Sequence, residues 1–298
     1  MAEPPHEPEP ILKVQNLCLR FGKVQKLHDC SFCVNDGEIF GLLGQNGSGK
    51  SSIIKSVLGL IGSSGEIGFS CEREEVAYVP QHFAFFPEYS VEENLKFFSR
   101  LADKRTPIDL LAEEFDLAQV RHVRAANLSG GYKRLLNMAI AMVRPARLVI
   151  LDEPTANMDV MMRRRIMEVV ERIRNTGASV VLTTHYMDEA ERHCDRVAMV
   201  VEGKIAAVGT VDDIVGRYGG SYSVDASCDT PSELSALLKK SGFLPIALPG
   251  RVRVEVPSEL GNQGIVRAMK IYSKFRISHM AVNEPSLAAA MERLFKNA

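Results

Sequence analysis

The sequence predicts an α/β fold with a mixed sheet core, followed by a smaller α+β unit. Three observations predict it. A glycine-rich loop, Gly44-Gln45-Asn46-Gly47-Ser48-Gly49-Lys50-Ser51, separates an apolar strand from a helical pattern. Two further runs, Leu148–Leu151 and Ser179–Thr184, have the near-continuous apolar character of strands covered on both faces of a parallel sheet. Beyond Ser221 the pattern changes to short alternating strands separated by helices.

Taken in order, Met1 to Pro10 is rich in Pro and Glu and is expected to be a disordered tail. Glu38–Leu43 reads as a buried strand, and Ile53, Ile54, Val57, Leu58 and Ile61 recur at helical spacing behind the loop. The loop fits G-x-x-x-x-G-K-[ST] in the strand-to-helix context that gives the pattern its meaning. Its glycines let the backbone curl around an anion, and the helix N-terminus points unpaired N–H groups at it. Lys50 is then placed for β- and γ-phosphates, and the Ser51 hydroxyl for Mg²⁺. An apolar helix is expected over Leu135–Met142, just after Leu128-Ser129-Gly130-Gly131. The strand at Leu148–Leu151 ends in Asp152, placed to hold Mg²⁺ through water, and Glu153, placed as a general base. Pro154 ends that strand, and the next one ends in His185, at the strand edge where open α/β sheets bind ligands.

Several segments have a structural explanation at this stage. Arg163-Arg164-Arg165 spreads around a helix and is expected to be a solvated face with local Glu partners. Asp188-Glu189-Ala190-Glu191 is expected to complement a helix dipole. A hairpin follows, with strands at Val197–Val201 and Ile205–Val208 around Glu202-Gly203. Gly216, Gly219 and Gly220 mark a boundary at about residue 220. From there a strand at Tyr222–Asp225, a helix at Pro231–Lys240, strands at Leu244–Leu248 and Arg251–Val256, a helix around Gly264–Phe275 and a strand at Arg276–Val282 make a βαββαβ unit.

Composition narrows the function. The chain has 298 residues with 46% hydrophobic and 24% charged residues, room for two globular domains. A net charge of −1 supplies no electrostatic footprint for nucleic acid. The six cysteines lack zinc-site spacing, and reduced thiols are expected. No stretch approaches the roughly 18 apolar residues of a membrane span.

Together these motifs resemble the nucleotide-binding subunit of ATP-binding cassette (ABC) transporters, over residues 11 to about 220. They run in family order: Gly44 to Ser51, the Q-loop Gln81, the signature Leu128-Ser129-Gly130-Gly131, Asp152-Glu153, the D-loop Asp159 and the switch His185. The resemblance implies a P-loop ATPase with a helical subdomain at about 82–145, ATP and Mg²⁺ as ligands, and hydrolysis assisted by Glu153, His185, Lys50 and Gln81. It implies nucleotide contacts from Gly44 through Ser51 and Ser52, Phe21 against adenine, and Ser51, Gln81 and Asp152 at the metal. It also implies a second ATPase domain, identical or different, packed head to tail, so that Ser129, Gly130 and Gly131 face the partner's ATP. A transmembrane permease domain is expected as a separate chain or another part of the same polypeptide, placing this chain at the cytosolic face of a membrane. Phe83, Phe85, Phe86, Pro87 and Tyr89, just after Gln81, suit either a docking surface for that domain or the interior of the helical subdomain.

Thr184-His185-Tyr186-Met187-Asp188-Glu189-Ala190 and Asn283-Glu284-Pro285-Ser286-Leu287 further resemble drug-resistance-type and A-subfamily lipid exporters. The chain departs from the family pattern at Val160, where a proline often follows the D-loop aspartate, at Tyr132, and in a short Gly59–Tyr78 segment. Two classes of function remain: an ATPase subunit powering export of lipids, drugs or other amphiphiles, and a non-transport ABC ATPase acting on ribosomes or nucleic acid. The near-neutral charge and the absence of a second cassette or a long coiled-coil insertion favour the first. A module that holds ATP without hydrolysing it is disfavoured by the presence of Lys50, Asp152, Glu153 and His185 together.

Overall fold

The computed structural model describes residues 10–102, 105–256 and 260–296. The expected disordered tail, Met1 to Pro10, lies outside them except for Pro10. The chain divides into two compact units after Val211.

The first unit contains two sheets. β1 (Leu12–Phe21), β2 (Val24–Val34) and β4 (Ser64–Phe69) form an antiparallel sheet in the order β2-β1-β4. The second has six strands: β3 (Ile39–Leu43), β5 (Val76–Val79), β6 (Leu148–Asp152), β7 (Ser179–Thr184), β8 (Arg196–Val201) and β9 (Lys204–Thr210). Their order is β5-β6-β7-β3-β8-β9, parallel throughout except for β9, which returns antiparallel to β8 through the Glu202-Gly203 turn. Every residue of β3, β6 and β7 is buried. That burial follows from helices covering both faces of a parallel sheet. Each fully buried Val, Leu or Ile there contributes on the order of 1.5–3 kcal/mol. Phe40, Leu42, Ile53, Val57, Leu148, Ile150 and Val181 join Leu12, Leu17 and Leu27 of the antiparallel sheet in one core.

The parallel direction fixes where chemistry can occur. β3, β6 and β7 all run the same way in register, Leu43 opposite Thr184 and Asp152 opposite Thr183, so their carboxyl ends meet at one edge. α1 (Lys50–Val57) leaves that edge directly after the glycine-rich loop. Its N-cap, Gly49, has φ of 117°, a region L side chains rarely adopt, and a Cβ there would lie 2.9 Å from Leu27 Cδ2.

Between β5 and β6 the chain forms the helical layer: α2 (Val91–Arg100), α3 (Ile108–Glu114) and α4 (Gly130–Ala141). α2 starts in a full capping box, Ser90 with Glu93. α4 starts at Ser129, whose Oγ accepts from the Tyr132 N–H. α5 (Val160–Asn175) is capped by Asp159, which accepts from the Met162 N–H at 2.9 Å, and α6 (Met187–His193) follows β7.

The expected solvated face at Arg163–Arg165 holds only for Arg164, which pairs with Glu168 one turn away. Arg163 reaches Glu189 and Asp188 of α6, and Arg165 reaches Asp116 behind α3. A helical wheel shows which residues share a face but not what packs against them. Glu189 is only 5% exposed, so it too does more than complement a helix dipole.

In the second unit, α7 (Val211–Tyr218) precedes β10 (Tyr222–Cys228), α8 (Pro231–Lys240), β11 (Leu244–Leu248), β12 (Arg251–Val256), α9 (Gly261–Tyr272), β13 (Ile277–Asn283) and α10 (Leu287–Lys296). From β10 to β13 this is βαββαβ, with an antiparallel sheet in the order β11-β12-β10-β13. The division falls before the glycines that mark a boundary in the sequence. The end of α7 is held within this unit, where the Ser286 N–H donates to Gly219 O and the Arg293 guanidinium packs on Gly220. The alternation of Arg251–Val256 puts Val252, Val254 and Val256 into the core, opposite Ala226, Val224 and Tyr222.

Tyr272, fully buried on α9, donates its hydroxyl to Val224 O at 2.9 Å, and Val252 O lies 3.2 Å from the same oxygen. The hydroxyl thus sits over the two central strands. Tyr272→Phe should lower the unfolding free energy of the second unit by about 1–3 kcal/mol, because it leaves buried carbonyls short of a donor. Chemical denaturation followed by circular dichroism measures this; an unchanged midpoint would show that the hydroxyl contributes nothing.

Candidate functional site

The loop Gly44 to Ser51 closes around its own lysine. Lys50 is 4% exposed, and its ammonium donates to Gly44 O at 2.7 Å and to Gln45 O at 3.1 Å. Burial lowers its pKa, and the Glu153 carboxylate, 3.6 Å away, opposes that shift. Ser48 Oγ is buried without a hydrogen-bond partner among the described residues, as expected where an anionic ligand completes the shell. Lys26 of β2 adds a second cation by donating to Gly47 O at 2.7 Å. The loop thus offers ammonium groups, a free hydroxyl and a helix N-terminus to phosphate.

Beside it stands Asp152, 2% exposed at the end of β6. Its Oδ1 accepts from Ser51 Oγ at 3.0 Å and from Thr183 Oγ1 at 2.7 Å. A hydroxyl and a carboxylate in contact are hard oxygen donors and fit Mg²⁺. Gln81, expected to join them, donates its amide to Glu153 Oε2 at 3.2 Å.

Glu153 is where the site converges. Its φ of 49° is a left-handed conformation uncommon for a residue with a side chain, held by the Glu153 N–H donating to Thr183 Oγ1 at 2.8 Å. Its carboxylate faces Lys50, Gln81 and His185, whose Nδ1 is 3.8 Å from Oε1 and has no hydrogen-bond partner among the described residues. Four residues far apart in sequence thus face one small volume.

The other expected site residues lie at its margins. Phe21, at the end of β1, is 56% exposed. Gln45, Asn46 and Gly47 are exposed on the loop, and Ser52 is half-buried in the first turn of α1. Leu128 is buried, while Ser129 and Gly130 are exposed at the start of α4. Gly131 is covered: a Cβ there would lie 2.4 Å from Met162 of α5. Among the described residues no hydrogen bond or ion pair joins Leu128–Gly131 to Gly44–Ser51.

Sequence reasoning missed the residues that hold the site in place. Thr183 bridges Asp152 and Glu153, and a threonine at a strand's polar end, one strand over from the carboxylates, was the available signal. Arg134 of α4, buried, donates to Pro80 O and Gln81 O, and Asn137 donates to Pro80 O and His82 O, so α4 carries the Gln81 segment. Polar residues at apolar helix positions were the hint there. Among the described residues no helix is long and apolar enough to cross a membrane.

Known proteins share these features. A family described as ABC transporter matches residues 27–156. The chain is 34% identical over 226 residues to the linearmycin resistance ATP-binding protein LnrL of Bacillus subtilis, covering 70% of this chain and 72% of that one. It is 33% identical to the Nod factor export ATP-binding protein I of a Rhizobium etli strain, covering 78% and 81% of the two chains. Similarity to the human ATP-binding cassette sub-family A member 2, at 31% identity, covers 91% of this chain but only 12% of that protein. A solved ATP-binding subunit of an ABC transporter superposes with a TM-score of 0.62 at 30% identity, covering 70% of this chain and 93% of that one. A phosphate-binding loop, paired carboxylates and a signature-bearing helix on this fold, with such relatives, place the chain in the ABC transporter family as an ATP-binding subunit that hydrolyses ATP.

Proposed function

We propose that this subunit binds Mg²⁺-ATP in the pocket around Glu153 and drives a membrane permease domain that exports a lipid, drug or other amphiphile. The observation that carries the hydrolytic reading is the convergence of Lys50, Gln81 and His185 on the Glu153 carboxylate. Export is supported by relatives named for linearmycin resistance and Nod factor export. The permease is a separate chain or another part of the same polypeptide, and the ATPase sits at the cytosolic face of the membrane.

In this reading Gly44 through Ser52 cradle the phosphates and Phe21 offers its exposed ring to adenine. Lys50 exchanges its contact with Glu153 for the β- and γ-phosphates. Ser51, Asp152 and Gln81 are the residues that would hold Mg²⁺, and the ion would supply positive charge to offset that on the phosphates. Glu153 orients and deprotonates the attacking water, and His185 contacts the γ-phosphate. Ser129, Gly130 and Gly131 serve a second ATPase domain, identical or different. Ser129 and Gly130 are exposed at this helix start, an end suited to anions, and among the described residues no hydrogen bond ties it to Gly44–Ser51. Two ATP molecules then join two subunits, and losing the γ-phosphate loosens them.

The aromatic segment after Gln81 supports the permease contact. Phe86 packs against Tyr89, Phe97 and Phe98 with ring centroids 4.8–5.9 Å apart, yet Phe83, Phe86 and Tyr89 remain 42%, 41% and 43% exposed. These three residues together offer the docking face.

Glu153→Gln should leave ATP binding intact, lower hydrolysis by at least about 100-fold and accumulate an ATP-held dimer. Phosphate release and size-exclusion chromatography with ATP measure these outcomes; undiminished hydrolysis would remove Glu153 from the catalytic role. Phe83→Asp and Tyr89→Asp should keep the melting temperature and basal hydrolysis of the purified chain but abolish co-purification with its membrane partner. A variant that melts early instead would assign the rings to the subdomain interior.

A further inference from the structure

One set of contacts beside the site has no part in the chemistry described above. Tyr186 directly follows His185, and the two rings are in tilted contact, with centroids 4.1 Å apart and planes inclined by 37°. On Tyr186 lies the Arg163 guanidinium, its Cζ 3.8 Å from the ring centroid. Arg163 is itself fixed from two sides. Its Nε donates to Glu189 Oε1 at 2.6 Å, and Nη2 lies 3.2 Å from both carboxylate oxygens of Asp188.

Glu189 is tied down in turn. Its Oε2 accepts from Thr155 Oγ1 at 2.8 Å and from Thr184 Oγ1 at 3.2 Å. Thr155 follows the carboxylates of β6, and Thr184 ends β7 and also accepts from the Tyr186 N–H at 3.0 Å. A buried carboxylate with these three partners holds the guanidinium in one place. The guanidinium holds the tyrosine by a cation–π contact, and the tyrosine holds the imidazole by ring contact.

His185 needs such support. Among the described residues its Nδ1 is buried without a hydrogen-bond partner and lies 3.8 Å from Glu153, beyond hydrogen-bond reach. No hydrogen bond at Nδ1 among those residues therefore sets the ring's torsion, and contact with the Tyr186 ring restricts it.

We propose that Arg163 and Tyr186 are positioning residues for ATP hydrolysis, clamping the His185 imidazole in the orientation that meets the γ-phosphate. This rests on the assignment of His185 as a γ-phosphate contact. The clamp acts on geometry alone, since among the described residues neither Arg163 nor Tyr186 hydrogen-bonds to Glu153 or the phosphate loop. It also joins the switch histidine to α5, the helix capped by the D-loop Asp159.

Steady-state hydrolysis by the full purified chain tests this, with kcat and KM for Mg²⁺-ATP determined separately and a melting curve for each variant. Tyr186→Leu removes the ring from both contacts and should lower kcat by about tenfold or more, with KM and melting temperature near those of the parent chain. Tyr186→Phe keeps the ring and should restore kcat to within about twofold. Arg163→Ala should lower kcat likewise, but it also leaves Glu189 unpaired and should melt early, so the tyrosine variants decide. His185→Ala is the control for the underlying assignment. If it is inactive while Tyr186→Leu turns over like the parent chain, the clamp is wrong and the site stands. If His185→Ala hydrolyses ATP normally, the histidine has no role at the γ-phosphate and the clamp falls with it.

Discussion

The hydrogen bonds to Asp152 are the constraint on which this ATPase depends. One carboxylate oxygen accepts from Ser51, at the start of α1, and from Thr183, near the end of β7, while Asp152 itself ends β6. Three segments distant in sequence are thereby pinned at one point. Burial makes this demanding: a carboxylate at 2% exposure is costly unless its lone pairs are satisfied. The parallel register of β3, β7 and β6 brings the donors there without bending any strand. Thr183 extends the same arrangement to the next residue, because its oxygen also accepts the Glu153 N–H and so holds Glu153 in its left-handed conformation.

Much of this was legible in the sequence where the determinants are local. The phosphate loop, the strand ends at Asp152 and His185 and the alternation of Arg251–Val256 all depend on neighbours along the chain, and each lies in the element its pattern predicts. What the sequence did not disclose are partners chosen by packing. Arg163–Arg165 sits on one helix, yet two of its three arginines serve other elements. Glu189 looks like a dipole residue until Thr155, Thr184 and Arg163 are found around it. Glycines likewise signal where a chain can bend but not what packs on them: Ser286 and Arg293, far downstream, contact Gly219 and Gly220 after α7.

The site is also arranged so that its charges are balanced before any nucleotide arrives. Lys50 has carbonyl partners at Gly44 and Gln45 and the Glu153 carboxylate within 3.6 Å, which opposes the lowering of its pKa by burial. The same carboxylate also faces Gln81 and His185, its two neighbours on segments outside the loop. Among the described residues the signature segment has no such balancing partner: Ser129 caps its own helix, and Gly130 is exposed beside it. A helix N-terminus whose N–H groups are left to solvent is stabilised by any anion brought against it. The glycine-rich loop is thus balanced by groups of this chain, while Ser129 and Gly130 at the start of α4 are exposed.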